Sequence, residues 1–307
     1  MRVAAIDLGT NTTRLLVGDV VDGRVDPLVR RSTITRLGEG VDARRRLLPF
    51  PIARVRNCLS DYRRELESLG AERALLVATS AVRDAENGEA FLGEIEWSYG
   101  FTTRLLSGED EADLTRRGVG KLDPGTVVVD VGGGSTELVS SRERVTTNLG
   151  SVRLTERFLG SDPPTAEELA EVRGAIRAVL AEHAVSATDA VGVAGTVTSI
   201  AALDLILVEY DSDLMHGHRL SEAAVEAQLE RLAALPLAER REVPGLEPER
   251  APVIVAGAVI LLEAMRYLGL QEIEVSERDL LDGAALEAAK LPEPVEGDAP
   301  PGAYTCC

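Results

Sequence analysis

Val127-Val128-Val129-Asp130-Val131-Gly132-Gly133-Gly134-Ser135-Thr136-Glu137-Leu138-Val139 reads as strand, tight turn, strand. A run of β-branched residues breaks at three glycines and resumes as a second strand beginning at Ser135 or Thr136. Three successive glycines let the backbone adopt φ > 0 and remove every Cβ, so main-chain N–H groups can line up against an anion such as a phosphate. Asp130, at the end of a buried strand, is placed to hold a cation or its waters. Glu137 lies one strand-length beyond the turn.

The same pattern occurs earlier. Asp7-Leu8-Gly9-Thr10-Asn11-Thr12-Thr13-Arg14-Leu15-Leu16 aligns without a gap on Asp130-Val131-Gly132-Gly133-Gly134-Ser135-Thr136-Glu137-Leu138-Val139. A repeated strand-turn-strand predicts two related lobes, each presenting a phosphate loop to a shared cleft. One charged position differs in sign. Arg14 suits phosphate binding in the first copy, and Glu137 suits metal or water chemistry in the second.

At 307 residues and 45% hydrophobic content, the chain can bury one large core or two ordinary ones, and its length favours about two domains. Arg2 to Ile6 runs straight into a strand, so no signal peptide is expected. The apolar run Pro252 to Leu262 is too short to span a bilayer and reads as a buried helix. The expectation is a cytoplasmic protein with no membrane partner. Cys58, Cys306 and Cys307 have no metal-site spacing, and His183, His216 and His218 are too scattered for zinc. The tail from Pro292 to Cys307 is expected to be flexible.

The net charge of −18 is unevenly placed. Residues 1 to 100 hold 15 basic and 15 acidic residues, so residues 101 to 307 carry all of the excess. Such a chain is a poor nucleic-acid binder, and no nucleic-acid partner is expected. Arginines nevertheless cluster early, at Arg30, Arg31, Arg36, Arg44, Arg45, Arg46, Arg54, Arg56, Arg63 and Arg64. The strip reads as a solvated surface with biased arginine usage or, because guanidinium forks match phosphate oxygens bidentately, as a track for a long anion near the first phosphate loop.

Along the chain, Val3–Leu8, Thr12–Val20 and Val25–Thr35 read as an antiparallel meander. Helix is expected over Pro51–Leu69, a buried strand at Ala74–Ala78, a polar loop from Thr79 to Asn87, then helix to about Tyr99. A strand at Thr102–Leu106 leads to a helix opening on Glu109, Asp110 and Glu111, where helix-end electrostatics and catalysis explain the carboxylates equally well. The second half repeats the plan. It has a helix opened by Thr165 as N-cap with Glu168 at N3, and a glycine turn into helix at Gly195-Thr196.

These motifs resemble the exopolyphosphatase and guanosine pentaphosphate phosphohydrolase (Ppx/GppA) family, within the actin, sugar-kinase and chaperone ATPase fold. The matching pieces run in order: Ala5 to Thr12, Arg36-Leu37-Gly38-Glu39-Gly40, Thr79 to Ala85, Ser107 to Ala112, Asp130 to Glu137, and Gly195-Thr196. The resemblance implies an α/β protein of two ribonuclease-H-like lobes with the active site in the interlobe cleft. The N-terminal lobe would cover residues 1–120, with a C-terminal helix at 280–290 packing back on it. The second lobe would cover 121–280, followed by the tail 292–307. The family also implies Mg2+ or Mn2+ as cofactor, with Asp130 and Asp7 near the metal. Glu111 would be the general base, with Glu137 assisting. Asn11, Thr12, Arg83, Gly133, Gly134 and Ser135 would bind phosphate, and Arg36, Gly195 and Thr196 would be further cleft residues. The implied substrate is inorganic polyphosphate, or alternatively guanosine pentaphosphate (pppGpp). A homodimer is expected from the resemblance alone.

Two other classes remain beside this reading. The fold also serves small-molecule kinases, although no Gly-x-x-x-x-Gly-Lys-Ser/Thr loop occurs. A non-catalytic polyphosphate or nucleotide sensor is the other, and Glu111, Asp130 and Glu137 argue against it because a pure binder needs no base.

Overall fold

The structure is a computed structural model and describes residues 1–292. Cys306 and Cys307, and the tail beyond Pro292, lie outside the described residues. Two compact units emerge: Met1–Gly118 together with the chain from Leu280, and Val119–Asp279.

In the first unit the chain runs β1 (Arg2–Leu8), β2 (Thr12–Val21), β3 (Arg24–Ile34), α1 (Val41–Arg44), α2 (Pro49–Ser68), β4 (Arg73–Ala78), α3 (Ser80–Arg83), α4 (Gly88–Tyr99), β5 (Thr102–Leu105) and α5 (Gly108–Val119). The sheet order is β3-β2-β1-β4-β5. The first three strands form the antiparallel meander, and β4 and β5 continue parallel to β1. This is the ribonuclease-H-like arrangement implied by the motifs.

The alternation along β1 explains its two faces. Ala4, Ile6 and Leu8 join Val55, Leu59, Tyr62 and Phe91 of α2 and α4, whereas Val3 and Ala5 meet Leu280, Leu281, Ala284 and Ala285 on the other face. Those last residues belong to α13 (Leu280–Ala288). Gly283 is the contact point, since a Cβ there would sit 2.0 Å from the Leu114 carbonyl oxygen. Cys58 is free and buried, and burial pushes its thiol pKa up, leaving a packing residue.

The second unit comprises β6 (Thr126–Val131), β7 (Thr136–Val139), β8 (Arg144–Thr147), α6 (Ser151–Phe158), α7 (Ala166–Leu180), β9 (Asp189–Val193), α8 (Ala194–Asp204), α9 (Ser212–Met215), β10 (Arg219–Ser221), α10 (Glu222–Ala233), α11 (Leu237–Arg240), α12 (Ile254–Leu268) and β11 (Glu272–Val275). Its sheet order, β10-β11-β9-β6-β7-β8, repeats the first with one added edge strand. The core is built on α12, where Ile254 to Met265 are all buried. No helix among the described residues is long and apolar enough to cross a membrane.

Several boundaries differ from the sequence reading. The helix expected from Pro51 begins at Pro49, because a proline fits the first turn, where its missing N–H is not needed. The polar loop after β4 contains one turn of helix, α3, and α8 begins at Ala194 rather than after Gly195. The capping box at Thr165 and Glu168 is present in full.

Candidate active site

The two glycine turns close identically. Gly9 N–H donates to the Thr12 carbonyl at 3.0 Å, and Gly132 N–H donates to the Ser135 carbonyl at 3.0 Å. A Cβ on Gly9 or Gly132 would approach the accepting oxygen to 2.9 and 3.0 Å, so each turn excludes a side chain at its first position. The internal repeat is therefore a repeat of hydrogen bonding as well as of residue type.

In the first unit the turn is held by the segment after β3. Arg36 N–H donates to the Asn11 carbonyl and Gly38 N–H to the Thr10 carbonyl, each at 2.8 Å. A Cβ on Gly38 would lie 2.2 Å from Thr10 Cγ2, which is why that segment needs glycine. Arg36 itself adopts φ 49°. Thr10 Oγ1 and Ser80 Oγ share a 2.8 Å hydrogen bond, tying the turn to α3. Asn11 is buried, yet both its side-chain amide atoms lack a hydrogen-bond partner among the described residues. A buried amide left so is costly unless water or a ligand satisfies it.

The three carboxylates opening α5 have separate fates. Asp110 accepts from Ser107 N–H at 3.2 Å and Ser107 Oγ–H at 2.6 Å, while Asp110 N–H donates to Ser107 Oγ at 3.1 Å. Ser107 is thus the N-cap and Asp110 the N3 partner of a reciprocal capping box, and the Ser107 hydrogen bonds hold the Asp110 carboxyl pKa below the ordinary value. Glu109 is exposed and Glu111 alone is buried. Glu111 Oε2 accepts from Arg83 Nη1 at 3.3 Å, and the same nitrogen donates to the Leu106 carbonyl at 2.7 Å. Arg83, at the end of α3, is held facing the start of α5.

Arg14, read as suited to phosphate, is paired with a carboxylate of its own sheet. Its Nη2 and Nε reach Asp7 Oδ2 at 2.8 and 2.9 Å, across the register pair Asp7↔Arg14 of β1 and β2. The equivalent pair in the second unit is Asp130↔Glu137, two buried carboxylates facing each other across β6 and β7. The repeat conserves the geometry and inverts the electrostatics.

The glycines of the second turn are used differently from the expectation of φ > 0. None of Gly132, Gly133 and Gly134 is among the positive-φ residues. Their carbonyls are instead taken by α6. Ser151 N–H donates to Gly132 O at 3.0 Å, Val152 N–H to Gly133 O at 2.8 Å, and Arg153 Nε to Gly134 O at 2.9 Å. A Cβ on Gly150 would lie 2.3 Å from Gly133 O and 2.4 Å from Gly134 Cα, so backbone packs on backbone. In a trans peptide the N–H points opposite to its C=O, so the amides of Gly133, Gly134 and Ser135 face away from α6. The turn is thus fixed by its close approach to the start of α6. Gly150 and Arg153 were missed in the sequence, where only a glycine before a helix hinted at them.

Ala194 enters α8 at φ 70°, and Arg250 covers Gly195, where a Cβ would sit 2.2 Å from Nη1. Arg250 is paired with Glu247 at 2.8 Å. Thr196 is buried, with its Oγ1 2.7 Å from a Cβ position on Gly257. His216 and His218 stay structural: His218 Nε2 meets Asp204 at 2.9 Å and His216 Nδ1 accepts from Glu277 N–H at 3.3 Å. No group of three or more metal-ligating side chains occurs among the described residues. Asp130 opposite Glu137 does fit a divalent ion of the Mg2+ type, which takes one or two carboxylates and completes its shell with water and phosphate oxygens. Asp7, with Oδ2 on Arg14, fits that part less well.

The sequence model of the Ppx/GppA phosphatase family matches residues 16–291. Exopolyphosphatase 2 of Mycobacterium tuberculosis is 40% identical, the match covering 94% of this chain and 98% of that protein. A guanosine-5'-triphosphate,3'-diphosphate pyrophosphatase of Vibrio atlanticus is 29% identical, covering 92% of this chain and 58% of that protein. Among solved structures, an exopolyphosphatase-like protein superposes with a TM-score of 0.88 at 33% identity, covering 93% of this chain and 97% of that one. The Aquifex aeolicus Ppx/GppA protein superposes with a TM-score of 0.79 at 31% identity, covering 94% and 98%. With motifs, paired sheets and near full-length matches in agreement, this chain belongs to the Ppx/GppA phosphatase family.

Proposed function

We propose that this protein is an exopolyphosphatase, removing terminal orthophosphate from inorganic polyphosphate. Its carrying observation is Glu111, the one carboxylate of three at the start of α5 that is buried and held by Arg83. The Mycobacterium tuberculosis relative supports the substrate class. Water attacks the terminal phosphorus, its proton passes to Glu111, and the bridging P–O bond breaks, leaving orthophosphate and a chain shorter by one phosphate. Arg83, the Asn11 amide, Thr12 and the amides of Gly133, Gly134 and Ser135 bind phosphoryl oxygens. Asp130 and Glu137 would hold Mg2+ or Mn2+, which supplies charge neutralisation on the phosphates when bound. Arg36, Gly195 and Thr196 line the substrate path. We place the protein in the cytoplasm, and a homodimer is checked by light scattering.

The Vibrio atlanticus relative favours a second reading, hydrolysis of the 5'-terminal phosphate of pppGpp. Phosphate release from polyphosphate, pppGpp and ATP, with Mg2+ or with EDTA, separates these readings. Faster release from polyphosphate and its loss in EDTA are expected. A preference for pppGpp selects the second reading, and transfer of the ATP γ-phosphate to another molecule without phosphate release would defeat both.

A further inference from the structure

Nine of the ten clustered early arginines, all but Arg36, divide into two groups. Arg30, Arg31, Arg54, Arg56, Arg63 and Arg64 each meet a carboxylate. Arg44, Arg45 and Arg46 do not. Their side chains are exposed and make no ion pair or hydrogen bond with any described residue. Three adjacent positive charges thus stand unneutralised on a protein whose net charge is −18.

The segment that carries them is held at both ends. Gly38 is fixed to the Thr10 carbonyl of the first glycine turn, Val41 N–H donates to Gly38 O at 3.0 Å, and Arg44 N–H donates to Gly40 O at 3.0 Å. Beyond the triplet, the Asn87 side chain takes Leu47 N–H at 2.8 Å and donates to Leu47 O at 3.1 Å, while Glu86 N–H donates to the Arg45 carbonyl at 2.8 Å. The Leu47 side chain is buried. One anchor is therefore the turn that presents Asn11, and the other is the chain just after Arg83. Arg45 sits at φ 51°, a left-handed conformation in which glycine is the more stable residue. An arginine is kept where backbone energetics favour glycine, and no described residue uses its charge.

We propose that Arg44, Arg45 and Arg46 form a distal subsite for a linear polyanion, binding phosphates of a polyphosphate chain beyond those being hydrolysed. The proposal rests on the exopolyphosphatase reading for its substrate. Arginine forks suit successive phosphate groups, and fixed spacing along a tethered loop limits the entropy lost on binding.

The test compares wild type with the triple variant Arg44→Gln, Arg45→Gly, Arg46→Gln. Phosphate release is measured on long-chain polyphosphate and on tripolyphosphate, and binding of long-chain polyphosphate is measured by titration over a range of salt. KM for the long chain should rise about 10-fold with kcat held within about 2-fold, and tripolyphosphate kinetics should not change. The log–log salt dependence of long-chain binding should become shallower by up to about 2, roughly 0.7 for each phosphate that the variant no longer neutralises. Thermal stability should be equal or higher, since Arg45→Gly relieves the left-handed backbone. Equal effects on both substrates, or none on the long chain, would overturn the subsite. If wild type released no phosphate from any polyphosphate, the functional reading would fail, and the binding titration would still judge the subsite: unchanged long-chain binding by the variant overturns it. Tighter binding by wild type of single-stranded RNA than of polyphosphate at matched charge, abolished in the variant, would reassign the triplet to nucleic acid and overturn it too.

Discussion

Asp130 and Glu137 stand opposite one another across the β6–β7 pair, both buried, at the same places where Asp7 and Arg14 neutralise each other across β1 and β2. Like charges opposed on adjacent strands destabilise a sheet by roughly 0.2–1 kcal/mol even when exposed, and burial adds to this. A divalent cation reverses that sign. Metal-free protein should therefore melt at a lower temperature than protein in Mg2+, the ion adding about 2.7 kcal/mol at 100 times its dissociation constant. Glu137→Gln should raise the metal-free melting temperature and shrink the Mg2+ shift. A variant with the wild-type shift would remove Glu137 from the metal site.

Glu111 and Asp110, adjacent in sequence, should separate cleanly by mutation. Glu111→Gln should lower kcat by ~10²–10⁴-fold with long-chain binding retained, as loss of a general base does. Asp110→Ala should leave kcat near wild type and cost about 1 kcal/mol of stability, the scale of a lost capping interaction. Because the Ser107 hydrogen bonds lower the Asp110 pKa in the folded state, its contribution is complete above the ordinary value of 3.8 and disappears as pH falls through the lowered one. Urea unfolding at neutral and acid pH checks the stability side, and phosphate release checks the other.

The turn positions, the meander and the paired lobes were legible in the sequence because each depends on local residue type: β-branched runs, glycine breaks and the Thr165–Glu168 spacing. What Arg14 and the glycines do was not, because both are settled by partners distant in the chain. Arg14 is fixed by strand register against Asp7, and Gly133 by the approach of Gly150. Likewise, helical spacing puts Glu109, Asp110 and Glu111 in one turn but cannot say that only Glu111 turns inward. That depends on where α5 packs against the chain around Arg83.

Glu263 is the clearest electrostatic anchor of the second unit. Its side chain is 2% exposed and meets Arg173 at 2.9 Å and Arg177 at 2.6 Å, with Arg266 at 3.8 Å. Burial acts to raise its pKa, but the Arg177 and Arg173 guanidiniums outweigh it and hold the carboxyl below its ordinary 4.5. The stability it contributes is thus present above 4.5 and is lost as pH falls through the lower folded value. Glu263→Ala should cost about 1–3 kcal/mol at neutral pH, the scale of lost hydrogen bonds to a charged group, because the arginines it frees are partly exposed and stay hydrated. The gap from wild type should narrow in acid. A gap that widened on acidification would reverse the assigned sign.

Gly150 offers the sharpest test of how the second turn is held. Its φ of −124° is open to any residue, so alanine there carries no backbone strain. The obstacle is steric: the added methyl would lie 2.3 Å from both Gly133 O and Gly134 C, and neither is the end of a flexible side chain. Either the glycine turn or the start of α6 must move. A shift of the turn misaligns the amides proposed to bind phosphate and breaks the hydrogen bonds from Val152 and Arg153 that hold the Gly133 carbonyl. Gly150→Ala should therefore lower kcat/KM by roughly 100-fold, the scale of a misplacement of about 1 Å, and cost about 1–3 kcal/mol in stability for overpacking. Gly174→Ala, on exposed α7 with open space around its Cβ, is the control and should be neutral or slightly stabilising. Normal kinetics in Gly150→Ala would show that the turn tolerates displacement and that its amides do not set the rate.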